Sequence, residues 1–512
     1  MEHSPTPEQA AIIDAVANPN GSSVLVEAGA GCAKTSTAKM AAQKIRVPGL
    51  AVAFNKRNAQ DLEKELPSNF NSKTMNGLGH SAWMKARNMR LTVDEKKSGK
   101  LISEVCKARH VQFGGELWDY ARLLFREAQI QGLVPDPFGR QFQTLVPDTH
   151  DGWQDLADSA GIPDDDFELV WEIAREALVE NIKLAYQGLI SYDDQIYCST
   201  LLGGVFLKYP IVFVDEDQDL NPLQILMVKQ SLGPNSRLLA VGDKCQSIYA
   251  FRGAVGEAAQ QLKELRSNWI ELPLMTSFRV PQLVADRQRD HVPLFRAFGA
   301  NPTGQIINLA KDDGWTWSDI TKIAPEWPSE VAILCRNNAP LLSMAFKLIR
   351  QGVGCHVLGR DMSKGLKALT KKICPDDNMK SDVVRGKINE WLNYESGKAH
   401  IADKPEVAEK YHDKAESLLA ILESAECQDA GQLRRQIDKL FDRDSGVVTL
   451  STVHKAKGME WPTVIHLDPW RVPSTFAKKA GGRALEQEKN LKYVCETRTK
   501  HTLVMANKDS FQ

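Results

Sequence analysis

The stretch that most constrains this chain runs from Val24 to Thr37 and reads VLVEAGAGCAKTST. It begins with three apolar residues typical of a buried parallel strand, continues through small residues, and resumes a helical pattern at Lys34. A strand, a small-residue loop and a helix in this order predict a phosphate-binding loop with the consensus G-x-x-x-x-G-K-[ST]. The glycine expected just before the lysine is Ala33, which tolerates fewer backbone conformations. An ordinary turn between strand and helix is therefore the alternative interpretation.

A phosphate-binding loop assigns chemistry to this stretch. Its backbone N–H groups curl around phosphate oxygens, and the helix that follows presents its positive end to them. Lys34 is expected to reach the β- and γ-phosphates, and the Thr35 hydroxyl is expected to hold Mg²⁺. The predicted nucleotide-binding residues of the loop are Gly29, Ala30, Gly31, Cys32, Ala33, Lys34, Thr35 and Ser36.

An acidic segment at the end of a second apolar run completes this prediction. Residues 211–214 read as a strand buried on both faces, and the sequence DEDQD follows at 215–219. Four carboxylates in five residues repel one another, and a bound divalent cation would relieve that repulsion. Asp215 is expected to share Mg²⁺ with Thr35, and Glu216 is expected to orient and deprotonate the attacking water. The loop and the acidic segment thus predict one ATP site, with a solvated acidic turn as the alternative.

Length and composition limit the class of protein. The 512 residues suffice for two to four structural units, and no apolar run is long enough to span a bilayer. The N-terminal residues lack a basic region followed by an apolar stretch, so no secretory signal is expected. Nine cysteines without a C-x-x-C pair favour reduced, buried thiols in the cytoplasm, or in the host cytoplasm if the chain is phage-encoded. The net charge of −1 counts mildly against a nucleic-acid binder, although a local basic track is what matters.

Two further strand ends carry polar or aromatic side chains. Residues 50–54 form an apolar run that leads into Asn55, and ligands bind at the carboxyl edge of parallel sheets. Residues 238–243 form another strand, and the segment after it interleaves Tyr249, Phe251 and Arg252. These side chains are suited to a base-stacking platform. A loop whose aromatics pack into the core is the alternative.

The order of the patterns predicts an α/β fold with two helical insertions. Helical periodicity dominates residues 84–189, and residues 361–440 are polar and helix-prone. Strand patterns return at 331–336 and 447–450. Helices are also predicted at residues 5–16, with Thr6 as N-cap, and at 280–289 and 486–500.

Together these motifs resemble those of UvrD/Rep-type superfamily 1 DNA helicases, in particular the F-box DNA helicase branch and its phage and bacterial relatives. Single motifs are weak signals, but their order and spacing along nearly the whole chain are specific. In chain order they are TPEQ, AGAGCAKT, AVAFNK, VDEDQD, VGDKCQSIYAFRGA, SFR, ILCRNN, STVHKAKGMEW and YVCETRTK.

The resemblance implies two RecA-like motor domains with parallel sheets, each carrying a largely helical insertion. The first motor domain (1A) would comprise residues 1–83 and 190–273, and its insertion (1B) residues 84–189. The second motor domain (2A) would comprise residues 274–360 and 441–512, and its small insertion (2B) residues 361–440. That second insertion is short compared with larger members of the family.

The resemblance also implies roles for residues outside the loop. Gln9 would read the adenine edge, Phe278 would stack on the adenine ring, and Glu460 would hydrogen-bond the ribose. Gln246 would sense the γ-phosphate and couple it to DNA. The implied arginine fingers, which stabilise transition-state charge from the second motor domain, are Arg279 and Arg498.

A single-stranded DNA track is implied as well. Together with Asn55 and Tyr249 from the strand ends above, its predicted residues are Phe54, Thr74, Phe251, Arg252, Thr452 and His454. The chain departs from the family pattern at three places: Ala33 replaces a glycine, Ser36 stands where many members carry an arginine, and Asn76 replaces a common histidine. Asn76 therefore lacks the side chain that the family resemblance would place against DNA at this position.

The function implied by the resemblance is an ATP-dependent DNA helicase or translocase of repair, replication or recombination. It would move 3′ to 5′ on single-stranded DNA, with ATP and Mg²⁺ as cofactors and DNA junctions as further partners. A nuclease or a replication or repair factor is the expected kind of protein partner, and no membrane is involved. The alternative is a DNA-stimulated ATPase that acts in regulation, remodelling or defence without processive unwinding, and RNA is a less favoured track. A non-hydrolysing binding module is disfavoured by the intact set Lys34, Asp215, Glu216, Gln246, Arg279 and Arg498.

Overall fold

The computed structural model describes residues 4–53, 56–111, 116–248, 258–309, 329–401, 405–441 and 448–508. The chain divides into two units, and each contains a six-stranded parallel sheet. The first unit comprises Met1–Ala28 and Ala33–Leu274. The second comprises Met275–Gln512 together with the four loop residues Gly29–Cys32. The predicted α/β class with two parallel sheets is confirmed, whereas the boundaries of the four domains stay predictions.

The sheet of the first unit brings several strand ends to one edge. The strands of this unit are β1 (Ser23–Ala28), β2 (Gly49–Ala53), β3 (Phe70–Thr74), β4 (Thr92–Val93), β5 (Leu189–Ile190), β6 (Tyr209–Asp215), β7 (Leu232–Gly242) and β8 (Trp269–Leu274). Their order in the sheet is β3-β2-β6-β7-β1-β8, while β4 and β5 pair separately. In this register Asp215 pairs with Val241, and Glu27 pairs with Gly242. The segments that follow β1, β6 and β7 therefore start side by side at the carboxyl edge.

Eleven helices of the described residues surround this sheet or form the insertion. They are α1 (Pro7–Ala17), α2 (Lys34–Gln43), α3 (Lys56–Glu65), α4 (Met75–Arg87), α5 (Lys97–Ala108), α6 (Glu116–Gln131), α7 (His150–Ala160), α8 (Asp164–Tyr186), α9 (Tyr192–Leu201), α10 (Pro222–Gln230) and α11 (Ala258–Lys263). The interval predicted to be helical contains α5 to α8, which share a hydrophobic core with α4 and α9. Its centre includes Trp83, Phe125 and Trp153, each almost fully buried.

One buried ion pair ties the helical insertion to α9. Lys97 Nζ lies 2.7 Å from Asp194 Oδ2, and both side chains are buried. The Asp194 carboxylate also accepts hydrogen bonds from the Gln129 and Asn181 amides and from the backbone N–H of Ser191. Removal of either Lys97 or Asp194 would leave the other charge buried without a counter-ion, which is strongly destabilising.

The second unit repeats the architecture with a different strand order. Its strands are β9 (Thr276–Ser277), β10 (Arg296–Ala297), β11 (Gln305–Asn308), β12 (Val331–Cys335), β13 (Cys355–Val357), β14 (Val448–Thr452), β15 (Trp461–Leu467) and β16 (Thr499–Ala506). The sheet order is β11-β16-β15-β12-β14-β13, and β9 pairs with β10. Its described helices are α12 (Gln282–Gln288), α13 (Asn338–Arg350), α14 (Arg360–Ile373), α15 (Ser381–Ile401), α16 (Pro405–Ser424), α17 (Ala430–Phe441), α18 (Val453–Ala456), α19 (Thr475–Ala480) and α20 (Gly482–Glu496).

Local sequence signals located several of these elements, with two corrections. Helix α1 begins as predicted, because the Thr6 side chain accepts from Gln9 N and the Gln9 side chain accepts from Thr6 N. The helix predicted over 280–289 begins only at Gln282, since the residue before Pro281 is disfavoured in a helix. The helix predicted over 486–500 is wrong at its end: α20 stops at Glu496, and residues from 499 onward pair with β15.

The cysteines agree with the expectation from composition. All nine cysteines are buried, as predicted for Cys32, Cys245 and Cys495 within the motifs. Within the described part of the chain, every helix is too short or too polar to cross a membrane.

Candidate functional site

The loop between β1 and α2, the predicted phosphate-binding loop, ends in an alanine with an unusual backbone conformation. Ala33 caps α2 in the left-handed conformation, with φ 57° and ψ 39°. This conformation costs an L-residue about 1–2 kcal/mol and costs glycine almost nothing. Counted strictly, the consensus glycines fall six residues and one residue before Lys34, at Ala28 and Ala33. The chain therefore has alanine at both consensus positions, and Gly29 is not a consensus glycine.

Lys34 is held by the acidic segment. Its Nζ lies 2.8 Å from Glu216 Oε2, and both side chains are largely buried. Burial alone would lower the pKa of Lys34, but neighbouring carboxylates, foremost that of Glu216, hold this pKa above its usual value. Lys34 is therefore a permanent cation, and its present counter-charge is the predicted catalytic carboxylate.

The acidic segment turns sharply at Glu216, which adopts the left-handed conformation with φ 55°. Such a backbone is uncommon outside glycine and clusters at functional sites. Gln218 Nε2 donates to Glu216 Oε2 at 2.6 Å, so the carboxylate is held by an amide as well as by the lysine. Burial, followed by the charge of Glu216, raises the pKa of Asp215.

Asp217 is a buried carboxylate behind this turn. Only 3% of its surface is exposed, and its Oδ2 atom has no hydrogen-bond partner. Burial raises its pKa to about 7. Gly242 at the end of β7 makes room for it, since an added Cβ there would lie 1.7 Å from Asp217 Oδ1. The four carboxylates thus do not form a solvated acidic turn, because Asp217 and Asp219 are both buried.

Gln246 is joined to the acidic segment through Asp243, which sequence reasoning did not single out. Gln246 Nε2 donates to Asp243 Oδ2 at 2.7 Å, and both residues are buried. The backbone N–H of Asp243 donates in turn to Gln218 Oε1 at 2.9 Å. The chain Gln246, Asp243, Gln218 and Glu216 is therefore continuous. The position of Asp243 directly after a buried strand at the ligand edge was the signal that could have identified it.

Thr35 and Asp215 suit a magnesium ion. Both line one small pocket between α2 and the ends of β6 and β7. Hydroxyl and carboxylate oxygens are the ligands Mg²⁺ prefers, and it usually takes only one or two of them from protein. Burial, followed by the charge of Glu216, raises the pKa of Asp215, and a divalent cation beside this carboxylate would favour its charged form. Among the described residues no group of three or more His, Cys, Asp or Glu side chains could hold a metal ion.

Gln9 is oriented by its own helix cap. Its Oε1 accepts from Thr6 N at 3.0 Å, and its Nε2 donates to Thr37 Oγ1 at 3.1 Å. The amide is buried and fixed, with one further lone pair and one further N–H in its plane. Ser36, by contrast, is exposed on α2.

The predicted residues of the second unit are grouped around Glu460. Its carboxylate forms ion pairs with Arg279 and with Lys500, the latter at 2.7 Å. Although burial opposes the shift, Lys500 and Arg279 hold the pKa of Glu460 below its usual value. Phe278 precedes Arg279, and its ring lies 4.9 Å from that of Phe298.

Arg498 has a different environment from Arg279. Only 1% of its surface is exposed. Its guanidinium donates to the carbonyls of Val494 and Met459, at 3.0 and 3.3 Å. Arg498 therefore hydrogen-bonds to Met459, the residue directly before Glu460.

The predicted DNA-binding residues are described only in part. Thr74 caps α4 by accepting from Gly77 N at 3.0 Å, and Thr452 is buried at the end of β14, two residues before His454. Asn76 donates to the carbonyl of Tyr192 at 2.7 Å, which gives this departure from the family pattern a structural partner. Five predicted residues lie outside the described residues: Phe54, Asn55, Tyr249, Phe251 and Arg252.

Comparison with known proteins defines the class to which this fold and site belong. The family model of the UvrD/REP helicase N-terminal domain matches residues 7–266, and that of the UvrD-like helicase C-terminal domain matches residues 399–510. The first match covers half of the chain, and the chain therefore belongs to the UvrD/REP helicase family.

Individual relatives extend this result. F-box DNA helicase protein 1 of Schizosaccharomyces pombe is 23% identical over 98% of this chain and 57% of the relative. ATP-dependent DNA helicase UvrD2 of Mycobacterium tuberculosis is 26% identical over 58% of this chain and 47% of the relative. RecBCD enzyme subunit RecB of Mycolicibacterium smegmatis is 30% identical over 24% of this chain and 12% of the relative. The chain thus spans about half the length of the first two relatives.

Proposed function

We propose that this chain is an ATP-dependent DNA helicase or translocase that moves 3′ to 5′ along single-stranded DNA. The observation that carries the proposal is the ion pair between Lys34 and Glu216 at the carboxyl edge of the first sheet. Membership of the UvrD/REP family supports the class of reaction. The direction of movement rests on the family resemblance alone.

ATP binding would change the partner of Lys34. A triphosphate carries more negative charge than one carboxylate, so Lys34 would move to the β- and γ-phosphates. Glu216 would then lose its lysine and be left as a carboxylate beside Gln218, able to orient the attacking water and accept its proton. Mg²⁺, held by Thr35 and Asp215, would neutralise charge on the phosphate oxygens when bound.

The other predicted residues have complementary roles in this proposal. Gln9 would read the adenine through its remaining donor and acceptor, Phe278 would stack on the ring, and Glu460 would bind the ribose. Arg279 and Arg498 would stabilise the negative charge of the transition state. Gln246 would report the γ-phosphate through Asp243, because the two side chains are already hydrogen-bonded.

The DNA track and the setting are part of the proposal. Residues of both units would contact the strand, including Thr74 in the first and Thr452 and His454 in the second. DNA junctions, and a nuclease or a replication or repair factor, are the proposed further partners. Nine scattered, buried cysteines fit a reducing compartment such as the cytoplasm. The four-domain division into 1A, 1B, 2A and 2B is proposed with the boundaries given above.

Two assays with one variant test this function. ATP hydrolysis and displacement of a tailed duplex are measured with and without single-stranded DNA, for the wild type and Glu216→Gln. We expect DNA-stimulated hydrolysis and strand displacement by the wild type, both lost in the variant, which keeps its ATP affinity. Stimulation without displacement would favour a DNA-stimulated regulatory or remodelling ATPase. A wild type that hydrolyses no ATP even with DNA would refute the motor.

A further inference from the structure

The peptide groups around Ala30, in the middle of the phosphate-binding loop, are held by residues distant in sequence. Ala30 N–H donates to the Tyr493 hydroxyl at 2.8 Å, and the Ala30 carbonyl accepts from Ser277 Oγ at 2.7 Å. The next carbonyl, that of Gly31, accepts from Phe278 N at 2.9 Å. All of these residues, including Gly29–Cys32, belong to the second unit. Both polar groups of the Ala30 backbone are thus committed to protein partners.

The Tyr493 hydroxyl has a fixed position. Tyr493 is 1% exposed, and its ring packs edge-on against Phe295, with centroids 5.7 Å apart at 73°. Phe295 also lies against the loop, since a Cβ added at Gly29 would be 2.7 Å from its ring. Two aromatic side chains therefore hold this part of the loop, one by a hydrogen bond and one by contact.

The loop conformation requires such support. Gly31 has φ 70°, and a Cβ there would lie 2.6 Å from Arg279 Cβ. Ala33 has φ 57°, a left-handed conformation that is energetically unfavourable for alanine. A segment with two left-handed residues keeps its shape only when the surroundings determine it. Because Ala30 N–H is already engaged, phosphate must be bound by N–H groups closer to α2, whose directions depend on the Ala30 peptide.

We propose that Tyr493 is a positioning residue for ATP binding, which acts by holding the Ala30 peptide through its hydroxyl. The inference deepens the proposed function and rests on it, since it assumes that the loop binds the phosphates of ATP. It assigns to Tyr493 a role in nucleotide affinity rather than in the chemical step. Ser277 supports the next peptide group by donating to the Ala30 carbonyl.

The test compares two conservative variants. Tyr493→Phe removes the hydroxyl and leaves Ala30 N–H without its partner, in a buried setting where that loss is costly. Tyr197→Phe is the matched control, because the buried Tyr197 hydroxyl on α9 donates to the Leu133 carbonyl of the helical insertion at 2.7 Å. Both variants lose one buried tyrosine hydrogen bond, but only one of these bonds reaches the loop.

The readout is the Kd of a fluorescent ATP analogue without DNA, together with kcat and KM for ATP with DNA. We expect Tyr493→Phe to raise Kd and KM by roughly tenfold with a smaller change in kcat, whereas Tyr197→Phe leaves Kd unchanged. Ser277→Ala should weaken binding in the same direction, and the double variant should lose less than the sum of the two. Equal Kd values for Tyr493→Phe and Tyr197→Phe would overturn the proposal.

The two proposals fail in different ways. A wild type that binds the analogue but hydrolyses no ATP with DNA would refute the helicase function, and the comparison of Kd values would still decide the role of Tyr493. If Tyr493→Phe does not fold, the Kd of Ser277→Ala decides instead, and a wild-type value there would overturn the proposal.

Discussion

Substitution of His466 by leucine should remove a pH dependence of stability from the second unit. His466 lies on β15 with 0% exposure, and neither ring nitrogen has a hydrogen-bond partner. Burial lowers its pKa from 6.5 to about 4; Glu496 and Asp468 oppose this shift, and Lys492 and Arg287 add to it. The unfolded chain therefore binds a proton at pH values where the folded chain does not.

The size of the effect follows from these two pKa values. A difference of about 2.5 units corresponds to about 3 kcal/mol, at 1.36 kcal/mol per unit. Because the folded pKa is the lower one, stability is complete above pH 6.5 and is lost as the pH falls from 6.5 towards 4. Leucine cannot titrate and sacrifices no hydrogen bond, so His466→Leu should not show this loss.

The assay is urea unfolding of both proteins between pH 8 and pH 4.5. At pH 8 the histidine is neutral in both states, so the difference measured there reports only the change in packing and serves as the control. Below pH 6.5 the wild type should lose stability relative to the variant, by up to about 3 kcal/mol at the acid limit. Parallel pH profiles for the two proteins would refute the reasoning.

Three further substitutions test other parts of the structure. Asp194→Asn leaves Lys97 buried without its carboxylate and should lower the free energy of unfolding by about 3–5 kcal/mol; a loss below about 1 kcal/mol in urea unfolding would contradict this. Ala33→Gly relieves the left-handed alanine and should raise the free energy of unfolding by about 0.5–1 kcal/mol, so destabilisation in the same assay would count against the strain. Glu460→Gln tests the proposed ribose contact: a contact made equally in the ground and transition states would be weakened, so KM for ATP should rise by roughly fivefold with little change in kcat. A fall in kcat alone would show that Glu460 acts instead by positioning Arg279.

Local patterns were enough to predict the elements that form the sheet edge. The apolar runs before Asp215 and Asp243 were recognisable as strands because strands buried on both faces are apolar throughout. Helix α1 was recognisable because Thr6 and Gln9 satisfy each other's backbone and side-chain groups within four residues. Such signals come from residues close together in the sequence, so they can be recognised without knowledge of the tertiary fold.

Features that depend on distant residues could not be predicted in this way. The end of α20 was placed too late because β16 begins where Trp461 pairs with Thr499, and periodicity does not contain that pairing. The hydrogen bond from Ala30 to Tyr493 joins residues 463 positions apart. Ala33 was recognised as a departure from the consensus, but its left-handed backbone became evident only in the structure.

The central proposal is that Arg279 stabilises the transition state of the ATP hydrolysis for which Lys34 and Glu216 are the other proposed residues. The most direct test is kcat for DNA-stimulated ATP hydrolysis by Arg279→Ala. Its control is Arg385→Ala, which removes a half-exposed arginine of α15 paired with Glu423. We predict that Arg279→Ala lowers kcat by roughly 1000-fold or more with a Kd for ATP changed far less, and that Arg385→Ala matches the wild type. A kcat for Arg279→Ala within about threefold of the control would contradict the account.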